Sequence, residues 1–239
     1  GEFYKDLIEP IELLKSGRRE THLSRYWDYA RNDDPAAVDG EKVSAYSELM
    51  SESQLMVSKE VLASFNFSSF KTLLDVGGGQ GTFLTCIAES YTDLEIKLFD
   101  LPEVAKRAEA TFVSNELSTR ATCYGGSFFD DDLPKGADLI SLVRILHDHD
   151  DEPVMKILAA VYKALDKGGQ LIVCEPMSTG NSAHRIADAY FNFYLYAMGS
   201  GRPRTPDYLM KMLKEVGFSH VRSEKVRSPL ITSILVGEK

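Results

Sequence analysis

Apolar positions recur at helical spacing over the first 66 residues, and from residue 71 onward short apolar runs alternate with helical stretches. Ile8, Ile11, Leu13 and Leu14, then Leu23, Tyr26, Trp27 and Tyr29, predict two short amphipathic helices broken at Ser16-Gly17. Asn32-Asp33-Asp34-Pro35 is a turn cluster. Val43, Tyr46, Leu49, Met50, Leu55, Met56, Val61 and Leu62 predict a long helix from Val43 to Phe65. Beyond it, the runs Thr72–Val76, Ile96–Phe99, Leu139–Leu146 and Leu171–Cys174 read as buried strands. Helical patterns follow them at Thr82–Ser90, Val104–Asn115 and Pro153–Leu165, then at His184–Met198 and Pro206–Val216. Buried strands alternating with helices predict an α/β domain whose open, mostly parallel sheet is covered on both faces. At the end, Val221–Val226 and Ile231–Val236 flank Arg227-Ser228-Pro229-Leu230, which predicts an antiparallel hairpin.

Composition narrows the classes. The 239 residues suit one large domain, or one domain with an appendage. Hydrophobic residues at 44% and aromatics at 10% supply a core and exclude a mainly disordered chain. With 27 Lys plus Arg against 36 Asp plus Glu, the net charge is -9, and an acidic surface repels phosphate backbones. Nucleic acid is therefore not an expected partner. Cys86, Cys123 and Cys174 form no CxxC pair and lie in or beside apolar runs, so buried, reduced thiols are expected. No apolar run nears the ~18 residues that span a bilayer. Gly1-Glu2-Phe3-Tyr4-Lys5-Asp6 lacks the regions of a signal peptide. A soluble, cytoplasmic protein is expected.

The densest motif is Leu73-Leu74-Asp75-Val76-Gly77-Gly78-Gly79-Gln80-Gly81-Thr82, a strand running through glycines into a helix. Glycines there allow a sharp turn and close ligand approach beside free helix N–H groups. A dinucleotide loop needs Gly-x-Gly-x-x-Gly. Gly77 and Gly79 fit it, but Thr82 stands at the last position, which disfavours a nucleotide-dependent oxidoreductase. Asp100 ends the next strand, 23 residues after Gly77, where a carboxylate accepts hydrogen bonds from both hydroxyls of a ribose. The alternatives are a tight turn alone for the glycines and a helix N-cap for Asp100.

Asp-x-Gly-x-Gly-x-Gly resembles motif I of the class I S-adenosylmethionine-dependent methyltransferases. Phe99-Asp100-Leu101-Pro102, Gly125-Gly126-Ser127-Phe128-Phe129, Leu142–Asp151 and Gly199–Thr205 extend the resemblance to the small-molecule O-methyltransferases. The run Ser141-Leu142-Val143-Arg144-Ile145-Leu146-His147-Asp148-His149-Asp150-Asp151 is most similar to the bacterial hydroxyneurosporene (demethylspheroidene) O-methyltransferases. Glu175-Pro176-Met177 and Tyr190-Phe191-Asn192-Phe193-Tyr194 agree. The resemblance implies a Rossmann-like sheet, S-adenosylmethionine as cofactor, and methylation of a hydroxyl on a small apolar molecule such as an acyclic carotenoid. A phenolic or polyketide acceptor, or a cofactor-binding relative without transferase activity, are the other readings. Peripheral contact with a membrane would suit a lipophilic acceptor.

By the same resemblance Asp75, Gly77, Gly79, Asp100, Leu101, Ser127 and Phe128 bind the cofactor, and His147 is the general base. A histidine suits that task because its ordinary pKa lies near neutrality. Glu175, 28 residues on, takes the position of a carboxylate that orients the histidine. Met50, Tyr194 and Met198 are placed against the acceptor. His147-Asp148-His149-Asp150-Asp151 also has the composition of a metal site. A loop leading into a helix explains its acids more simply, with Asp150 or Asp151 as cap and Pro153 in the first turn. The resembling family needs no metal, and none is expected.

Two positions depart from the family's pattern. Gly199-Ser200-Gly201-Arg202-Pro203-Arg204-Thr205 offers arginines where many relatives carry a second carboxylate, which suits a weakly acidic acceptor hydroxyl. Ser127 stands where many have an aspartate facing the adenine amine. The resemblance also implies a winged-helix dimerisation domain ahead of the helical region. Residues 1–66 are thus expected to be a connecting segment, residues 67–239 the methyltransferase domain, and the 239-residue chain a fragment of a homodimeric protein.

Overall fold

The computed structural model describes residues 1–15, 21–25, 53–178 and 185–239. Met50, the Asn32–Pro35 turn and the first part of the predicted long helix lie outside the described residues. Short helices α1 (Glu2–Asp6) and α2 (Pro10–Lys15) open the chain, and residues 53–64 form helix α3. The α/β part then runs β1 (Thr72–Val76), α4 (Thr82–Ser90), β2 (Glu95–Asp100), α5 (Pro102–Ser114), β3 (Ala121–Gly125) and β4 (Leu139–Val143). A 3-10 turn at Leu146–Asp148 leads into α6 (Asp151–Ala164), β5 (Gln170–Glu175), α7 (Arg185–Met198), α8 (Pro206–Val216), β6 (Ser219–Glu224) and β7 (Ser233–Glu238). No described helix is long and apolar enough to cross a membrane.

The strands form one sheet in the order β3-β2-β1-β4-β5-β7-β6. β1 through β5 pair in parallel, and β7 pairs antiparallel with both β5 and β6. This is the mostly parallel α/β sheet with an antiparallel C-terminal edge that the hydropathy pattern predicts. The strand order reverses between β1 and β4, so both strands end at the crevice where open α/β sheets take ligands.

Strand periodicity splits the core into two layers. Ile172 and Cys174 of β5 join one cluster with Leu73, Leu98, Phe83, Leu84, Ile87 and Phe112. Leu171 and Val173 join the other with Leu74, Val76, Ile157, Leu158, Val161 and Leu213. Successive side chains of a strand point to opposite faces, and a strand covered on both faces reads as an unbroken apolar run. Every residue of β4 is buried for that reason. Phe3, Leu13 and Leu23 pack with Leu195, Ala197 and Met198 in a third cluster, which fastens the N-terminal helices to α7.

Several predicted boundaries shift. β3 gives no hydropathy signal because it pairs only with β2 and shows a mixed exposed pattern. The fourth strand stops at Val143, short of the predicted Leu146, because Arg144 turns left-handed at φ 60°. The C-terminal strands lie at Ser219–Glu224 and Ser233–Glu238, and their connection is wider than the predicted hairpin turn. Glu60 of α3 holds that connection by accepting the N–H groups of Arg227 and Ser228. Cys174 is buried, but Cys86 and Cys123 are only half-buried, a correction to the expectation for all three thiols.

Candidate active site

The glycine loop departs from the end of β1. Gly77, Gly79 and Gly81 all have positive φ (74°, 58° and 82°), a backbone that L side chains rarely adopt. Gly77 N–H donates to Phe99 O of β2 at 2.8 Å, which docks the loop on the neighbouring strand. A Cβ at Gly77 would collide with Ile145, whereas one at Gly79 would meet nothing within 4 Å among the described residues. The loop is packed on one side and open on the other.

Asp100 lies across that loop. One carboxylate oxygen accepts Gly79 N–H at 2.8 Å and the other accepts Leu101 N–H at 2.7 Å. Leu101 is the N-cap of α5, so the N-cap alternative for Asp100 is not the one the chain adopts. Burial pushes the Asp100 carboxyl up, and the two backbone N–H bonds oppose the rise. A carboxylate has about four lone-pair sites, so a diol would still find acceptors here.

Asp75 is buried beneath the loop, 1% exposed. One of its oxygens accepts the Ser141 hydroxyl at 2.6 Å, and the other has no hydrogen-bond partner among the described residues. Burial drives its carboxyl up to about 7; the Ser141 bond pulls it down and the Asp100 charge adds to the rise.

Residues 126–131 close the far side. Gly126 N–H donates to Asp100 O at 2.9 Å, and Ser127 N–H donates to Asp131 at 2.9 Å. The Ser127 hydroxyl donates to Asp130 at 2.9 Å. Phe128 lies beside Gly77 and meets His149 edge-on at 5.8 Å. Leu101 is 40% exposed, an apolar side chain next to Asp100.

His147 sits on the 3-10 turn after β4 and Glu175 at the end of the adjacent β5, so the sheet brings together residues 28 apart in sequence. Nδ1 of His147 is hydrogen-bonded to one Glu175 oxygen. The other accepts the N–H groups of Ile145 and Leu146 at 2.9 and 2.7 Å. One buried carboxylate thus fixes both the ring and the backbone that carries it. On the ring's other side, Nε2 lies 3.2 Å from Asp148 Oδ1. Burial lowers the proton affinity of His147, but the charges of Asp148 and Glu175 outweigh it and raise the pKa above the ordinary value, with Arg144 opposing them.

The segment after α7 clamps this turn. Arg204, itself buried, donates to the carbonyls of Leu146 and His149, each at 2.7 Å, and to Asp151 at 2.9 Å. Asp151 also receives Arg202 and the Tyr208 hydroxyl. Asp150 is the N-cap of α6 by position, but its side chain makes no capping bond and accepts Gly201 N–H at 3.3 Å. The expected capping role of these acids is replaced by a clasp between two segments. Among the described residues, no group of three His, Cys, Asp or Glu side chains could hold a metal ion.

Tyr194 and Met198 face the N-terminal helices: Tyr194 meets Phe3 edge-on at 5.4 Å, and Met198 is buried in the third cluster. The α7 aromatic that reaches His147 is Phe191, at 6.5 Å between ring centroids. The sequence gives Ser141 and Arg144 no individual role, and it offers Phe191 only within the aromatic run 190–194 and Asp148 only within the run 147–151. Arg144 donates to the Ser53 hydroxyl at 2.8 Å and so ties α3 to the end of β4. Asp148 stood in the His-Asp-His-Asp-Asp run, where adjacency to the histidine was the available signal.

Residues 17–219 match the family described as the O-methyltransferase domain. Demethylspheroidene O-methyltransferase of Cereibacter sphaeroides is 42% identical over 230 residues, 96% of this chain and 60% of the relative. The protein of that name from Rhodobacter capsulatus is 40% identical over 236 residues, 99% of this chain and 58% of the relative. The chain therefore spans about 60% of the length of these relatives. The crystal structure of human N-acetylserotonin methyltransferase in complex with SAM superposes with a TM-score of 0.81. It is 23% identical in sequence, over 99% of this chain and 67% of that one, a likeness of fold.

Proposed function

The chain belongs to the O-methyltransferase domain family, and on that premise we propose that it moves the methyl group of S-adenosylmethionine onto a hydroxyl of a small apolar molecule, a hydroxylated acyclic carotenoid, with His147 as general base. The cofactor supplies an electrophilic methyl group on a positively charged sulfur. The residues present fit it. Asp100 offers acceptors to a ribose diol, and the loop is open at Gly79. Leu101 follows Asp100 in sequence and Phe128 lies beside Gly77, both with apolar side chains.

The observation that carries the reading is the buried His147–Glu175 pair, joined to the glycine loop through Ile145. Glu175 holds Nδ1, so Nε2 is the nitrogen left to receive the acceptor proton. The buried ring has a fixed orientation, which general-base transfer within hydrogen-bond reach requires. Much of the rate then comes from alignment of hydroxyl and methyl group. The carotenoid assignment is supported by the 42% and 40% identities to demethylspheroidene O-methyltransferases. Exposed Tyr4, Ile8, Ile11 and Leu14 would suit peripheral contact with a membrane that holds such an acceptor. A homodimer belongs to the same reading.

Calorimetric titration with S-adenosylmethionine and with NAD tests the cofactor. Binding of the first alone is expected, and binding of NAD alone would overturn the reading. His147→Ala is expected to keep cofactor affinity and to lower methyl transfer by about 10²–10⁴-fold. An unchanged rate would remove His147 from the chemistry.

A further inference from the structure

The family's pattern provides a second carboxylate after α7, and this chain has arginines there. Their positions show what they do instead: Arg202 and Arg204 hold Asp151, and Arg204 also holds the carbonyls of Leu146 and His149. Neither supplies a negative charge to the base. The carboxylate that does reach the imidazole comes from the 3-10 turn itself. Asp148 Oδ1 stands 3.2 Å from Nε2 of His147.

The backbone of Asp148 is tightly held. Its N–H donates to Ile145 O at 3.3 Å, and its carbonyl accepts the Ser200 hydroxyl at 3.0 Å. Gly201 packs so closely on the His147 carbonyl and the Asp148 backbone that a Cβ there would overlap both. The Asp148 side chain is 25% exposed, whereas those of His147 and Glu175 are 5% and 2% exposed. A hydroxyl that comes within hydrogen-bond distance of Nε2 therefore arrives beside Asp148.

We propose that Asp148 is a positioning residue of the acid–base unit: it faces Nε2 of His147 opposite Glu175 and stabilises the imidazolium that forms as the acceptor loses its proton. The inference rests on the methyl-transfer reading and adds a residue to it. In the step itself the acceptor O–H bond breaks and its proton bonds to Nε2. The oxygen's electron pair forms the new bond to the methyl carbon. The carbon–sulfur pair leaves with sulfur, which becomes neutral. The new Nε2–H donates to Asp148 Oδ1 while Nδ1 remains on Glu175.

A carboxylate 3.2 Å from a bare nitrogen lone pair repels it, and the same carboxylate attracts the protonated ring. Asp148 thus favours the state that proton transfer creates, which lowers the barrier in the direction of the reaction. Among the described residues, the charged groups around the ring are Glu175 from β5, Asp148 from its own turn and Arg144 from the end of β4. Arg204, from the segment after α7, is bonded next door at Leu146 and His149. From α7 itself the neighbour is the uncharged Phe191. The two anions outweigh Arg144.

Asp148→Asn and Asp148→Ser separate this role from a structural one. The first readout is NMR titration of the His147 ring in the ligand-free protein, assigned by comparison with His147→Ala. The second is the pH profile of methyl transfer. In folded Asp148→Asn the His147 titration and the acidic limb of the rate should both move to lower pH. The rate should fall roughly 10–100-fold with cofactor affinity within about twofold. Asp148→Ser should move the titration in the same direction. A titration that stays put in either folded variant overturns the proposal. A titration that moves in a protein showing no methyl transfer upholds the His147–Asp148 coupling and sinks the assigned reaction instead.

Discussion

At the scale of single residues, the buried charge around His147 determines what the site can do. Glu175 accepts three hydrogen bonds, from Nδ1 and from two backbone N–H groups. Glu175→Gln should weaken the hold on the ring's proton. With a folded pKa raised by its carboxylates, His147 becomes a free base only as the pH rises through that value. Loss of Glu175's charge should shift the acidic limb of the rate profile to lower pH and reduce the rate by about 10²-fold or more. Initial rates across pH would show it, and an unshifted limb would mean that Glu175 does not influence the base. The placement of His147 and Glu175 at the ends of apolar runs was legible in sequence, where parallel strands bring distant residues together, and the roles proposed for them came from the family resemblance. Asp148 was not legible, since an acid before a helix reads equally as a cap. Arg144 was hidden too, because no side chain announces a left-handed backbone.

At the scale of elements, the clasp between the turn at Leu146–Asp148 and the segment after α7 keeps the site in shape. Arg204 is buried and donates to two carbonyls and to Asp151. Arg204→Met should leave those carbonyls without donors and cost about 2–3 kcal/mol, measured by chemical denaturation. A loss within 0.5 kcal/mol would show that the clasp is incidental. Gly201→Ala should lower both activity and stability, because the residue has φ 76° and its new Cβ would overlap the His147 carbonyl that Arg202 N–H holds at 2.9 Å. The expected result is a fall in methyl transfer with cofactor binding retained. Element by element, the central strands were readable because burial on both faces makes them continuously apolar. β3, an edge strand with alternating exposure, offered no such run, and the span of the last hairpin depends on Glu60 from a remote helix. Long-range polar contacts of that kind leave no periodic trace.

For the whole molecule, the same buried groups set the response to pH. Folded Asp75 titrates at about 7, against about 3.9 for an unfolded aspartate, and folded His147 lies above its unfolded value. Both bind their protons more tightly when folded. Their contribution is full below the unfolded values and is lost as pH rises through the folded ones. The ligand-free protein should therefore melt at a higher temperature near pH 5 than near pH 8, and Asp75→Asn should flatten the difference. A melting temperature that rises over that interval would contradict this. The chain spans about 60% of the length of its relatives. The decisive measurement is the fate of a labelled methyl group from S-adenosylmethionine, offered with a hydroxylated acyclic carotenoid and, separately, with a simple phenol. The expected result is label on the carotenoid hydroxyl with release of S-adenosylhomocysteine, abolished in His147→Ala. Label on the phenol alone, or none on either acceptor in a protein that binds the cofactor, would contradict the proposed function.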